Sequence, residues 1–499
     1  METFVDLLKM VGVGNHMSDT PYDTAWIARL KEIDSGLSNQ ALGWICDHQL
    51  EDGSWGADFP NYYHDRVICT LSSMIVLTHR GRRHLDQIQI QRGLEALSQI
   101  TAGATKGLLA DSSGATVGFE LIVPTLVAEA EKLGIIKQQG ERILGRLARL
   151  REAKMQKLEG LKVSRHITVA HSAEMAGTDK LNLLDVDNLQ ELNGSVGCSP
   201  SATAYFALSV KPGDGLALQY LTPIVNSRSG GAPTLAPIET FELVWVLWNL
   251  SLTNLFQKDQ EIASLCTPHL DFLEKHWRPG EGLGFSRNFS LTDGDDTIVG
   301  YELLSKFGRS PELAGVLYYE EDQWFRCYKY EANPSTDINI HSLGALKQAG
   351  YPKMHPSIQK ALKFIRAKRH PMGPFWLDKW HLSPSYSTAH LIICAKGYDD
   401  ELCEESVRWM LESQNLNGAW GFFGRPTAEE TAHCIQALAV WQKHTGKSFC
   451  NPIKNASEWL ARHCEPPYPP LWMGKSLYCP EILVKSSILS ALELSKDSM

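Results

Sequence analysis

The 499-residue chain has no apolar run long enough to cross a bilayer, which argues against a membrane-spanning helix. Its start, METFVDLLKMVGVGNHMSDT, lacks a basic stretch followed by a long apolar core, so no secretion signal is expected. The 11 cysteines are scattered, with no CxxC and no zinc-ligand spacing among them. An odd count without a secretion signal fits a reducing compartment, and a cytoplasmic location is expected. A net charge of −9 argues against nucleic acid as a partner. Alternating strand-type runs are also scarce, which leaves helices to build the core.

Tryptophan is what the chain has in excess, with 14 residues. Two segments repeat the pattern W-x4-Q-x3-G-x-W-G. In residues 41–56 it reads Trp44, Gln49, Gly53, Trp55, Gly56; in residues 406–421 it reads Trp409, Gln414, Gly418, Trp420, Gly421. A degenerate relative, HWRPGEGLGFS, covers residues 276–286. The spacing predicts a helix ending in a turn, with Gln on free backbone groups, Gly in a left-handed cap and Trp over the joint. Such repeats stabilise an array of helices without touching a substrate. TAEETAHCIQALAVWQKHTG, residues 427–446, has a capping box at Thr427 and Glu430 and one apolar face. The expected fold is all-α, two α/α barrels, with a seam in the Gly-, Ser- and Pro-rich stretch 194–235.

LTDGDDTIVG, residues 291–300, crowds Asp293, Asp295 and Asp296 into four positions. A plain helix N-terminus accounts for part of this, because Asp caps helices and suits the dipole. A calcium loop counted from Asp293 fails, since Thr297, Ile298 and Leu304 stand where acidic residues and glycine are needed. A third reading is an acid kept loaded. Crowded carboxyls in a desolvated site cannot all ionise cheaply, so one stays protonated.

PYDTAWIARL, QLEDGSWG, VGFELIVPTL, NGSVGCSPSATAYFAL, GGAP, DGDDT, LDKW and LWMGKSLY follow one another in that order. Together they resemble class II diterpene cyclases over essentially the whole chain, and the bacterial kolavenyl and halimadienyl diphosphate synthases in particular. The resemblance implies a β domain whose first helix lies in residues 1–19. A γ barrel is inserted at 20–205, and the rest of the β domain, 206–499, carries the DxDD motif. The class I domain of plant relatives is expected to be absent. Asp399 and Asp400 are followed by Glu401, Leu402 and Cys403, which does not fit a DDxxD motif.

In such a cyclase a carboxylic acid protonates an alkene of geranylgeranyl diphosphate, and the diphosphate survives. The resemblance implies Asp295 as the donor, with Asp293 and Asp296 orienting it and recovering its proton from solvent. Asn339 and His341 are the candidates for hydrogen bonds to the acid. Trp380, Tyr386 and His390 are expected to line the cavity, and Tyr205 and Trp245 are further aromatic candidates, since ring faces stabilise a cation without attacking it. Lys379 and Lys157 are expected on the diphosphate, with Gly231 offering a backbone N–H. Mg²⁺ is the expected cofactor, as a phosphate partner. Its candidate ligands are Asp111 and Asp58, with Glu51 and Asp52 as alternatives.

His171 stands at the position of a histidine that helps remove the last proton in plant copalyl diphosphate synthases. Thr234 stands where those enzymes have Asn. A weakened base lets the first cation rearrange, so a rearranged bicyclic product is expected. Kolavenyl is favoured over halimadienyl because Asp296 is retained, and copalyl is the remaining option. A separate enzyme would then remove the diphosphate. Outside this class, a barrel glycosidase would need two carboxylates across a cleft. A protein prenyltransferase subunit would need zinc ligands, and a partner-binding toroid would tolerate changes in DGDD and have no apolar cavity.

Overall fold

The computed structural model describes residues 3–80, 83–104, 115–137, 139–145, 147–331 and 333–498. Six helices form a closed inner ring: Glu239–Ser251, Gly294–Lys306, Thr336–Gln348, Pro384–Ala395, Ala428–Thr445 and Glu481–Ser498. Each packs on the next, and the last returns to the first. They are buried on nearly every face, as Thr336–Gln348 shows from Thr336 to Leu346. The intervening helices are one-sided. Pro356–Ala367 buries Ile358, Ala361, Leu362 and Ile365, spaced as one helical stripe, and keeps its lysines outside. Because outer segments separate the inner helices in sequence, the inner helices run in one direction. Their N-termini meet at one end of the barrel, where helix dipoles are positive.

The second barrel closes through Pro21–Ala28, Tyr63–Arg80, Phe119–Lys132, the 3₁₀ segment Thr168–Ala176 and Pro200–Tyr205. Helix Phe4–Met10 precedes it in sequence yet packs on the first barrel, and Phe4, Leu7 and Leu8 share that barrel's core. The inserted core runs further than the expected boundary at residue 205. Ala217, Tyr220, Leu221, Val225 and Ala232 belong to it, because Gly215–Asn226 lies on the inserted helices Pro200–Tyr205 and Ser35–Asp47. The crossing back falls between Ala232 and Ile238.

The repeats close helix turns. Gln49 Nε2 donates to the carbonyls of Gly53 and Gln89, both at 2.8 Å. Gln414 Nε2 does the same to Gly418 at 2.7 Å and Pro452 at 3.0 Å. Gly53 and Gly418 have φ of +88° and +89°, and a Cβ at either would strike a neighbouring backbone. The indole N–H groups of Trp55 and Trp420 donate to Ile45 and Met410 carbonyls at 2.8 and 2.7 Å. The turn at Arg278–Gly282 has the same form. A further copy was hidden at Gln190, whose amide donates to Gly194, because Val196 replaces the signalling tryptophan.

Candidate active site

Between the barrels lies a cavity of about 350 Å³. Its interior is largely aromatic and aliphatic, with Phe241, Trp245, Phe285, Phe289, Trp380 and Trp472 on its wall. Its mouth carries the exposed residues Lys157, Leu161, Tyr330 and Asn333, together with Lys154.

The acid cluster is built by one helix start. Asp293 is the N-cap of Gly294–Lys306 and accepts the Asp296 N–H at 2.9 Å. Its other oxygen accepts from Tyr328 Oη at 2.7 Å. Gly294 is forced by closeness, because a Cβ there would lie 2.4 Å from the Arg326 carbonyl oxygen. Asp293 and Asp296 are buried, while the Asp295 side chain keeps 19% of its surface and faces the cavity.

Burial raises Asp293 to about 6, against the pull of hydrogen bonds from the Asp296 backbone and Tyr328. Burial first, and then the charges of Asp293 and Asp295, drive Asp296 well above the carboxylate range. Asp296 therefore holds its proton more tightly than an ordinary carboxyl, with the carboxyls of Asp293 and Asp295 raising it and the Trp245 indole opposing them. Both flanking acids are buried against the protein yet line the same cavity as Asp295.

His341 places Nδ1 2.6 Å from Asp295 Oδ1, and its Nε2 lies 2.8 Å from His390 Nδ1. Asn339 does not reach the acid. Its amide is spent on Phe325 N–H and on the carbonyls of Phe325 and Ser335, so it ties a loop to its helix. Trp245 and Trp380 line the cavity, but Tyr386 and His390 do not. They sit behind Trp245 and Trp472, around a void of about 10 Å³. Helix Pro384–Ala395 is fully internal, so its side chains pack between ring helices rather than toward the substrate space. Tyr205 is also core, donating its hydroxyl to the Gly177 carbonyl.

Lys379 lies on the wall, ion-paired with Glu331 and donating to the Asn333 carbonyl at 2.9 Å. Burial lowers its ammonium to about 8. Its Nζ also stands 4.8 Å from the Trp380 ring centre. Lys157 lies at the mouth, with Lys154 paired to Glu120 beside it. Gly231 lies outside the cavity lining. Its N–H is used by Arg228, and Asp19 fills the space beside it. Thr234 is fully buried against Gly474, with no hydrogen-bond partner for its hydroxyl.

His171 lines the cavity, and its Nδ1 lies 3.2 Å from the Gly197 carbonyl. A carbonyl can only accept, so the proton is on Nδ1 and Nε2 carries the lone pair. Burial and then the charge of Lys475 lower it to about 3, which keeps it neutral.

Among the described residues the metal candidates gather no site. Asp111 lies outside the described residues. Asp58 is exposed and away from the cavity lining, Asp52 is paired with Arg66, and Glu51 is exposed. No cluster of three or more His, Cys, Asp or Glu suited to a metal exists among the described residues. The two carboxylates nearest the cavity lysines, Glu120 and Glu331, are each held by one of them.

Tyr328, Glu331, Phe241 and Trp472 escaped sequence reading as site residues. Tyr328 and Glu331 sit in an irregular loop with no fixed spacing to the motif, while Trp472 lies inside the block LWMGKSLY and could have been taken from it.

Comparison with known proteins agrees with this architecture. The family model of the squalene-hopene cyclase C-terminal domain matches residues 330–440. A type B diterpene cyclase of Mycobacterium tuberculosis is 53% identical over 499 residues, covering 100% of both chains. The ent-copalyl diphosphate synthase structure from Streptomyces platensis aligns with a TM-score of 0.80 at 25% identity, covering 98% of each chain. That of Arabidopsis thaliana, at 21% identity and a TM-score of 0.67 over 99% of this chain and 63% of the other, shares the fold. The chain belongs to the class II diterpene cyclases. It is thus an isomerase that folds and closes a diterpene precursor. Among the described residues no helix is long and apolar enough to cross a membrane.

Proposed function

We propose that the chain protonates geranylgeranyl diphosphate, cyclises it to a rearranged bicyclic diterpene diphosphate of kolavenyl type, and releases it with the diphosphate intact. The observation that carries this reading is Asp295. It is the exposed member of a buried carboxyl cluster, held by His341 and facing an aromatic cavity whose mouth carries lysines.

In the first step the Asp295 proton goes to the terminal alkene, whose π electrons form the new C–H bond. The carboxylate left behind keeps the hydrogen bond from His341, and burial disfavours a second charge on Asp296 beside it. The tertiary cation is captured by the next alkene, and ring closure moves the charge inward. Trp245, Trp380 and Trp472 offer ring faces on that path, each worth about 2 kcal/mol when desolvated. The same rings exclude water, so hydride and methyl shifts compete with capture.

His171 offers its Nε2 lone pair on the inserted-domain side. Thr234 is buried against Gly474 and lies outside the cavity lining, so it does not stand beside His171 as a second polar group, which supports late deprotonation and a rearranged skeleton. Retention of Asp296 favours kolavenyl over halimadienyl, with copalyl as the product of early deprotonation.

Lys379, Lys157 and Lys154 would meet the diphosphate, and Mg²⁺ would sit with it, with Glu120 and Glu331 as the carboxylates nearest these lysines among the described residues. When bound, the metal supplies charge neutralisation; no step depends on a protein-built metal cage. A cytoplasmic protein handing its product to a separate diphosphate-removing enzyme completes this reading.

The test is incubation with geranylgeranyl diphosphate and Mg²⁺, phosphatase treatment, and identification of the alcohols by mass spectrometry and NMR. A bicyclic alcohol with migrated methyl groups is expected. An unrearranged copalol would sink the product assignment, and geranylgeraniol alone would sink the substrate.

A further inference from the structure

The hairpin Trp472–Met473 and Leu477–Tyr478 belongs to the DxDD-bearing domain. Met473 N–H donates to the Trp380 carbonyl at 2.9 Å, and Leu382 N–H to the Leu471 carbonyl at 2.8 Å. Its tip, however, enters the inserted domain. The Gly474 carbonyl accepts from Val117 N–H at 2.7 Å, and Leu477 N–H donates to Asp65 Oδ1 at 2.7 Å.

Between these two anchors Lys475 is wholly buried. Its Nζ has three donors and three acceptors in reach: Glu174 Oε1 at 2.6 Å, Ser201 Oγ at 2.7 Å and Ser199 Oγ at 2.8 Å. The same Glu174 oxygen accepts from Tyr22 Oη at 2.8 Å. Desolvating an ion pair costs about what its attraction returns, so apolar residues of similar volume would hold the two domains equally well. What the pair adds is direction.

Glu174 stands three residues after His171 on the segment Thr168–Ala176. This segment breaks helical geometry at Ser172, with φ −117° and ψ 35°, and so is not stiffened by a regular helix. Trp472 stands three residues before Lys475 on the cavity wall. One ion pair therefore joins the segment carrying the neutral imidazole to the hairpin carrying a cation-facing ring.

We propose that Lys475 is a positioning residue that sets the product: by holding Glu174 it fixes His171 against the wall formed by Trp472 and Gly474, so that the proton leaves from one carbon. This rests on the reading of His171 as the deprotonating side.

The experiment uses the full chain as Lys475→Met, Glu174→Gln and the double variant. The single Lys475→Met leaves a buried carboxylate unpaired and is expected to melt lower. The double removes both charges and keeps the fold, which circular dichroism and melting verify. With geranylgeranyl diphosphate the folded double variant is expected to consume substrate within about tenfold of the parent, while the ratio of minor to major alcohols changes by at least about tenfold, equivalent to about 1.4 kcal/mol between competing exits. A merely structural role lowers the active fraction and leaves that ratio alone, so a folded double variant with the parental ratio overturns the proposal. His171→Ala in parallel keeps the readings apart. A product shift there with none in the double variant overturns the positioning role alone, and no shift in either overturns the assignment of the base as well.

Discussion

Asp295 Oδ1 and His341 Nδ1 lie 2.6 Å apart, and His390 stands directly behind, 2.8 Å from the other imidazole nitrogen. Burial first, and then the neighbouring histidines, hold His390 well below the usual imidazole range, so it is neutral and carries one N–H. Its Nε2 is buried without a partner, which suits a lone pair better than an N–H. The proton is then on Nδ1 and is donated to His341 Nε2. That fixes the His341 proton on Nδ1, aimed at Asp295 Oδ1, and leaves Oδ2 without a contact from this pair.

Asp295→Asn keeps the size and the hydrogen bond from His341 but has no transferable proton of comparable acidity. Cyclisation is expected to fall by at least about 10³-fold, with the melting temperature within a degree or two of the parent. Bicyclic product from the folded variant at more than a trace would remove Asp295 from the donor role.

His341→Ala deletes the donor that holds the acid and leaves His390 Nδ1–H unpaired in the core. Turnover is expected to drop about 10²-fold with little change in KM, since nothing at the cavity mouth moves. Steady-state kinetics decide this, and a rise in KM at constant kcat would mean His341 shapes the pocket instead.

Asp293 makes the fold pH-sensitive in a direction that can be worked out. Its carboxyl sits at about 6 in the folded chain, above its ordinary value. The folded state then binds the proton more tightly than the unfolded one. The group's contribution to stability is complete below about pH 4 and is lost as pH rises through about 6, an effect on the order of 3 kcal/mol. Asn also caps helices. Asp293→Asn is therefore expected to flatten this part of the melting-temperature profile between pH 4.5 and 7.5. A parent and variant with parallel profiles would show that Asp293 does not titrate there.

How much of this was legible in the residues differs by feature. Inner and outer helices follow from apolar stripes, and the turns from Gln, Gly and Trp at fixed spacing, so the barrels were readable. DGDD was readable because three like charges on one helix start demand an explanation. The domain crossing was not: helix Gly215–Asn226 has the apolar stripe of any outer helix, and only tertiary packing decides which barrel receives it. Nor did the pattern separate Trp380, on the cavity wall, from Tyr386, one layer behind, because both lie in one aromatic-rich stretch. Tyr328 reaches Asp293 from a loop 35 residues away, and nothing local encodes that contact.

Lys157 is exposed at the mouth and has no role in the core. If it meets the diphosphate, Lys157→Ala should raise KM by about tenfold, near 1.4 kcal/mol of lost ground-state binding, with kcat held within about twofold. Raising the salt concentration should reduce the difference, because a partly solvated ion pair is screened. Unchanged KM at low salt would exclude Lys157 from substrate binding and leave Lys154 and Lys379 to hold the diphosphate.

The repeated turns should respond differently from every residue above. Trp420 is buried in the outer layer of its barrel, with its indole N–H on the Met410 carbonyl, and Gln414 bridges Gly418 to Pro452. Neither lines the cavity. Trp420→Phe empties part of a packed site and removes one of the two donors on the Met410 carbonyl, which keeps Ser413 Oγ, and should cost about 2–3 kcal/mol. Gln414→Ala removes two hydrogen bonds at a helix end and should cost about 1–2 kcal/mol. The measurements are denaturant melts together with the product ratio from geranylgeranyl diphosphate. Stability should fall while the ratio of alcohols stays parental, because the turns set how firmly the helices are held and not where the cation meets its rings. A product shift in either variant, at a temperature where it is fully folded, would show that the turns also shape the cavity and that the Q-x3-G-x-W repeat reaches the chemistry.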